Sequence, residues 1–369
     1  MKADELLDWL WLAQAFPYGS IKPAELLTEY QHARAVYEHR SECAERFDFL
    51  TQSELAAMRK SPQEYLPILE RCARFDIQVI PYDHPAYPAR LQTIDCPPVV
   101  LYCRGSLAAF SESLCIAVVG TRTPSEYSKR VAAYAGRELA QRGICVLSGC
   151  SEGIDAEVHR AALSVGRTAA VLSCPLDKNY PASNEGLRRE ILRHGGALVS
   201  EFPPGTEFFP EQFALRNRLL SALSDGVVVV EASAKSGSLS TARAAADQGR
   251  EVFCVPPADL FNPRYDGVKP LLREGAAQFL SVGDVTEAFR YQFSVAATLP
   301  EEGTAHSPDL SELSSQEVEL YRAMPDDPVD TGYLSAKTGL LVSDLMQMLT
   351  KLELSGAVRK TAGRYQKVY

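Results

Sequence analysis

The sequence predicts an α/β protein with a mostly parallel, doubly wound sheet, a helical domain before it and a small helical domain with a hairpin behind it. Three observations carry that reading. Between residues 115 and 282, short apolar runs alternate with helical patterns and are bounded by glycine or polar turns. Such alternation implies right-handed crossovers that cover both faces of a parallel sheet. Residues 1–75 show helical patterns only, and the chain beyond residue 313 reads as three helices and two strands.

The N-terminal part offers helices at Glu5–Ala15, Pro23–Val36 and Ser53–Arg59, the first two separated by Pro17-Tyr-Gly-Ser20. Helix, tight glycine turn, helix is the outline of a helix-hairpin-helix or SAM-like unit, whose turn can hold a phosphate. A plain helical packing module has the same outline and is the reading preferred here. A proline-rich connector from Pro81 to Pro98 leads into a short strand, Val99–Cys103. Strands are then expected at Cys115–Val119, Cys145–Ser148, Thr168–Leu172, Ala197–Ser200, Val227–Val230, Val252–Val255 and Gln278–Val282. The helices between them are expected at Ser125–Gln141, Asp155–Ser164, Glu185–Arg193, Pro210–Leu223 and Leu239–Gln248. Domain boundaries follow: 1–75, 76–292, a polar, proline-broken linker over 293–313, and 314–369. The last part, with helices Ser315–Ala323, Val329–Thr338 and Val342–Leu354 and strands around an Ala362-Gly363 turn, has the outline of a winged helix.

Bulk properties narrow the function. The 369 residues are 46% apolar and 23% charged, as in a soluble globular protein, and no apolar run approaches membrane-spanning length. A net charge of −9 means that any nucleic-acid site is a local basic patch on an acidic body. Nine cysteines without a C-x-x-C pair suit reduced thiols in a cytoplasm. Met1-Lys-Ala-Asp-Glu5 is a poor signal peptide. The six histidines lack metal-binding spacing, so no metal is expected, and His159, within a helix, is read as structural.

In a doubly wound sheet, ligands bind beyond the carboxyl ends of the strands. The loops there hold the candidate residues. Lys235-Ser236-Gly237-Ser238-Leu239-Ser-Thr241 lies between an apolar strand and a helix start, the order that builds an anion site from amides, hydroxyls and partial positive charge. Taken alone, the segment fits an ordinary strand-to-helix turn with a solvated lysine just as well. Gly120-Thr121-Arg122 leaves the first parallel strand, where Arg122 can clamp a phosphate or pair with a carboxylate such as Glu231. Ser148-Gly149-x-x-x-Gly153-Ile-Asp155 lacks the spacing of a dinucleotide fingerprint, so no cofactor is expected. Asp155 can cap its helix or touch a ligand. Arg216-Asn217-Arg218, with phenylalanines nearby, suits a nucleic-acid strand, although most of those phenylalanines read as core.

In this order these motifs, with Tyr180-Pro181, Ser200-Glu201, Glu231-Ala232, Thr241-Ala242 and Gly249-Arg250, resemble the DNA-processing protein A (DprA/Smf) family over residues 80 to 290. The resemblance implies an extended Rossmann-like domain that dimerises, a cytoplasmic protein that binds single-stranded DNA, and loading of the RecA recombinase during natural transformation. It assigns DNA contact first to Arg122 and Lys235. Gly120, Thr121, Ser148, Gly149, Gly153, Ser236, Gly237, Ser238 and Leu239 join them, and Arg216 and Asn217 either contact the strand or brace the pocket. The chain departs from the family pattern at Val255-Pro256-Pro257, Tyr265-Asp-Gly267-Val-Lys269 and Ser173-Cys-Pro-Leu176.

Two other functions fit a similar outline. A phosphoribohydrolase-like enzyme would use a P-G-G-x-G-T-x-x-E turn, but Ala244 stands where its glutamate belongs. No nucleophile–base set appears in the loops, so binding is expected rather than catalysis. A regulator binding duplex DNA through the last domain has basic Arg359, Lys360, Arg364 and Lys367, yet few base-reading side chains precede them.

Overall fold

Nine strands form one sheet in the order β1-β2-β6-β5-β4-β3-β7-β8-β9. They are β1 (Gln78–Pro81), β2 (Val100–Gly105), β3 (Cys115–Val119), β4 (Cys145–Ser148), β5 (Thr168–Val171), β6 (Ala197–Ser200), β7 (Gly226–Val229), β8 (Glu251–Cys254) and β9 (Ala277–Gln278). Pairings from β6 across to β9 are parallel, whereas β1 with β2 and β2 with β6 are antiparallel. The computed structural model describes residues 2–107, 113–291, 313–325, 328–355, 357–361 and 364–367.

The inner strands are buried on both faces, as their unbroken apolar runs require. Helices Glu126–Gln141 and Ile154–Leu163 pack with Ile116, Val118, Val146, Val228 and Val230 on one face. On the other, Leu219, Leu220, Leu239 and Ala242 meet Ala117, Val119, Val227 and Val229. Chain order runs from β3 outward to β6, then returns to place β7 on the other side of β3. That reversal between β3 and β7 is the switch point at which such sheets hold ligands.

Three expectations change before residue 298. Pro23–Val36 is two helices, Lys22–Tyr30 and Ala33–Glu38, because Gln31 adopts a left-handed φ of 62° and the His32 side chain caps the second helix. The strand expected over 278–282 ends at Gln278, since Asp284 accepts the Leu280 and Ser281 amides, each at 2.7 Å, and starts the helix Val282–Ala288. An unexpected strand, β1, lies just before the connector and ends on its first proline; Pro81 is tolerated because it closes an edge strand.

The N-terminal helices share an apolar cluster with the sheet. Trp9, Trp11, Leu26 and Met58 are buried with Tyr102, Leu172, Leu187 and Leu198, and residues 1–297 form one unit. The Pro17–Ser20 turn faces inward. A Cβ on Gly19, at φ 75°, would meet Leu215 at 2.9 Å, and Tyr18 packs edge-on against Phe202 with centroids 4.9 Å apart. Beside it, buried Glu201 pairs with Arg218 at 2.5 Å. This turn is therefore a packing element.

Residues 298–369 form a second unit. Within it, helices Ser315–Ala323, Thr331–Thr338 and Val342–Leu354 bury Leu320, Leu334, Leu345, Leu349 and Leu352 with Val358 and Tyr365 of an antiparallel pair, Val358–Thr361 with Arg364–Lys367. Val329, expected in the second helix, instead bridges Tyr365. The linker, apart from Leu313, and the Ala362-Gly363 turn lie outside the described residues. Among the described residues no helix is long and apolar enough to cross a membrane.

Replacing Glu201 with alanine leaves the largely buried Arg218 guanidinium without its carboxylate. A loss of about 3 kcal/mol in thermal or urea unfolding is expected, with earlier proteolytic cutting among the N-terminal helices.

Candidate functional site

A cleft of about 320 Å³ opens at the switch point, lined from the ends of β3 and β7 and the helices that follow. Its β3 side is Gly120, Thr121 and Arg122, and its β7 side is Ser233, Ser236, Gly237, Ser238 and Thr241. Phe213, Arg216, Asn217, Ser151 and Asp155, with apolar Val119 and Leu220, complete it.

Each wall has a local cause. Gly120 packs so closely that a Cβ would sit 2.7 Å from Ile154, while the Thr121 amide donates to the Glu231 carbonyl at 2.8 Å. This binds the β3 loop to the β7 loop. Gly153, at φ 78°, lies where a Cβ would be 2.4 Å from the Thr121 carbonyl oxygen. On the opposite wall, the helix Ser238–Asp247 starts at Gly237 without a side-chain cap. The Leu239 and Ser240 amides turn back onto the Ser236 and Gly237 carbonyls, each at 3.2 Å, and the helix start contributes its partial positive charge to this wall.

Arg216 is buried at the cleft floor. Its Nη1 donates to the Gly149 and Val171 carbonyls at 2.7 and 2.6 Å, and its Nε to Asn217 at 3.2 Å. Burial lowers its pKa despite nearby Asp155. Burial likewise raises the Asp155 carboxyl above its usual range, against the pull of Arg216. Asn217 donates to the Gly237 carbonyl at 3.2 Å and to Ser240 Oγ at 2.6 Å, so it braces the Ser-Gly-Ser turn. Arg218 points elsewhere, to the Cys96 carbonyl and Glu201.

Arg122 is exposed, and its guanidinium lies 4.8 Å from the centroid of the Phe213 ring. Among the described residues it makes no ion pair. Glu231, the alternative partner, accepts instead from the Ser125 amide and Oγ, at 3.0 and 2.6 Å, and from Arg264 at 3.3 Å. Burial would raise the Glu231 carboxyl, but these hydrogen bonds hold it below its usual range.

Eight of the thirteen residues expected at the site line the cleft: Gly120, Thr121, Arg122, Arg216, Asn217, Ser236, Gly237 and Ser238. Lys235 is exposed on the turn next to Ser236. Ser148, Gly149, Gly153 and Leu239 are not among the lining residues and support it. Ser148 Oγ donates to the Val118 carbonyl at 2.7 Å, and Leu239 is in the core. Phe213, Ser151 and Ser233 line the cleft without having been expected there, and Thr241, the last residue of the Lys235–Thr241 segment, lines it too. Phe213 was detectable, since it lies three and four residues before Arg216 and Asn217 and so shares their helix face. Pro257 lies in a separate shallow groove with Tyr127, Tyr134 and Leu280, and Lys269 pairs with Asp266 at 2.8 Å. Neither departure reaches the cleft lining. His159 is wholly buried, its Nδ1 2.7 Å from Thr168 Oγ1, and desolvation lowers its pKa to about 3.

A switch-point cleft with an exposed guanidinium, a helix start without a side-chain cap and several hydroxyls thus sits on a mostly parallel, doubly wound, Rossmann-like sheet. Comparison with known proteins gives the family. The model for DNA recombination-mediator protein A matches residues 78–290, and that for the DprA winged helix domain matches residues 304–364. Protein Smf of Escherichia coli is 35% identical over 84% of this chain and 82% of its own. The X-ray structure of DNA processing protein A from Streptococcus pneumoniae has a TM-score of 0.57 at 28% identity, covering 73% of this chain and 97% of that one. DNA processing protein A of Helicobacter pylori, with a structure described for its unique single-stranded DNA binding mode, has a TM-score of 0.53 at 31% identity over 59% and 97%. The chain belongs to the DprA/Smf family.

A Cβ on Gly149 would lie 2.0 Å from Arg216 Nη1 and 2.4 Å from its Cζ. Gly149→Ala is therefore expected to destabilise the fold by about 1–3 kcal/mol, whereas Arg122→Ala should change it by less than about 0.5 kcal/mol. Urea unfolding of the two variants checks the contrast.

Proposed function

We propose that the cleft binds the phosphate backbone of single-stranded DNA, and that the protein is a non-enzymatic recombination mediator. The carrying observation is Arg122, free of any carboxylate among the described residues and held at the mouth of a cleft whose far wall is an uncapped helix start. Arg122 and Lys235 supply charge to the phosphates, Thr121, Ser236 and Ser238 supply hydroxyls, and Gly237 lets the backbone approach. Arg216 and Asn217 hold the floor and the turn in place. Single-stranded DNA binding by the Helicobacter pylori relative supports the same ligand here.

The phosphoribohydrolase alternative needs a carboxylate beside a glycine turn. Ala244 occupies the position for it, and the acid in the cleft lining, Asp155, is buried against Arg216. Binding is therefore the better reading of the site. The family relationship supports the wider role: a cytoplasmic homodimer that covers incoming strands and loads RecA recombinase onto them during natural transformation. RecA strand exchange on strands pre-coated with a single-strand-binding protein tests the loading role; no stimulation by this protein would refute it.

Binding to matched single- and double-stranded oligonucleotides at two salt concentrations tests the site. Arg122→Ala and Lys235→Ala should each weaken single-strand affinity about ten-fold, since a charge-assisted contact is worth roughly 1.5–3 kcal/mol. Each should also reduce the salt slope by about 0.7. Unchanged affinity in the folded double variant would rule the cleft out as the strand site.

A further inference from the structure

We propose that Tyr180 and Phe208 form a base-stacking platform that continues the phosphate cleft outward. The inference rests on the reading of that cleft as a single-strand site and adds the part that grips the bases.

The segment after β6 carries three phenylalanines before the helix Gln212–Ala222, and they divide between two directions. Phe202 and Phe209 turn inward, packing on Tyr18 with centroids 4.9 and 6.2 Å away and on each other at 5.8 Å. Their role is to seat the N-terminal turn. Phe208 turns the other way. Its ring centroid is 5.8 Å from that of Phe213 and 5.2 Å from that of Tyr180, with Tyr180 and Phe208 inclined by 31°. Tyr180 closes the group at 6.0 Å from Phe213.

Phe213 is also the ring beneath Arg122. The four side chains thus form a continuous series: guanidinium, cleft-lining ring, then two rings that leave the cleft. Tyr180 and Phe208 remain 40% and 47% exposed, unlike the inward pair. Exposed aromatic surface adjoining an arginine that makes no ion pair among the described residues has the composition that single strands require. Phosphates pair with the cation, and bases, having no partner strand, stack on the rings. A duplex keeps its base faces inside and cannot use such a surface. The platform therefore selects single strands without reading sequence, because every base has a π-face.

The test uses the full chain, with an ordinary oligonucleotide and an abasic one of equal length and charge. Tyr180→Ala/Phe208→Ala should weaken binding of the ordinary strand about ten-fold or more, leave the abasic strand unchanged, and keep the salt slope. Tyr180→Phe/Phe208→Trp, which keeps two rings, should retain ordinary-strand affinity, and circular dichroism confirms folding. Full affinity of the alanine variant for the ordinary strand, or an equal loss on both strands, would overturn the platform. Arg122→Ala separates the two readings. If it weakens both strands while the aromatic change does nothing, the cleft stands and the platform falls. If it weakens neither, the cleft reading fails, and the ordinary-versus-abasic comparison alone decides the platform.

Discussion

A guanidinium deprived of water holds the centre of this molecule together. Arg216 spans the carbonyls just beyond or at the ends of two neighbouring strands, Gly149 after β4 and Val171 in β5, with Asp155 nearby as counter-charge. A buried cation is tolerated only when such acceptors surround it. Its neighbour Asn217 carries the network to the Gly237 carbonyl and Ser240, so the strand ends and the opposite turn are fixed relative to one another. A cleft whose loops are already ordered loses little entropy when a flexible polymer enters it. Much of the site is thus shaped by a residue that gives its own hydrogen bonds to protein carbonyls.

Helix geometry gives three consecutive polar residues different tasks. A step of one residue rotates the side chain by roughly a quarter turn. Arg216 accordingly fills the floor, Asn217 braces the Ser-Gly-Ser turn, and Arg218 reaches Glu201 beside the N-terminal helices. The Arg-Asn-Arg motif reads as a nucleic-acid contact in the sequence because composition reports charge without direction. Arg122 differs because the carboxylate that competes for it, Glu231, is already satisfied by Ser125 and Arg264.

The parallel strands were legible because burial on both faces demands uninterrupted apolar runs, as in Val227 to Val230. The helices between them were legible from their periodicity. What escaped was decided by single local events. Gln31 entered the left-handed region and divided a helix, and Asp284 captured two amides that a strand would have used. Strand β1 was hidden by its shortness and its terminal Pro81, which an edge position tolerates and a central one would not. The glycines after β3 and β4 pointed to the right loops, but sequence could not separate Gly120, in the lining, from Gly149 and Gly153, behind it. That distinction depends on which neighbour occupies the space of a missing Cβ.

The apolar cluster shared by the N-terminal helices and the sheet bears on how this chain is made. Trp9, Trp11 and Leu26 cover Tyr102, Leu172 and Leu198, on the side of the sheet where the antiparallel strands lie. These helices leave the ribosome before the sheet does and must wait for residues about 170 positions later before that surface is complete. Until β6 has been synthesised, Trp9 and Trp11 have their helical neighbours His32 and Tyr37 but not the sheet side of the cluster. The cluster that joins helices to sheet is thus closed by a strand made long after the helices it covers.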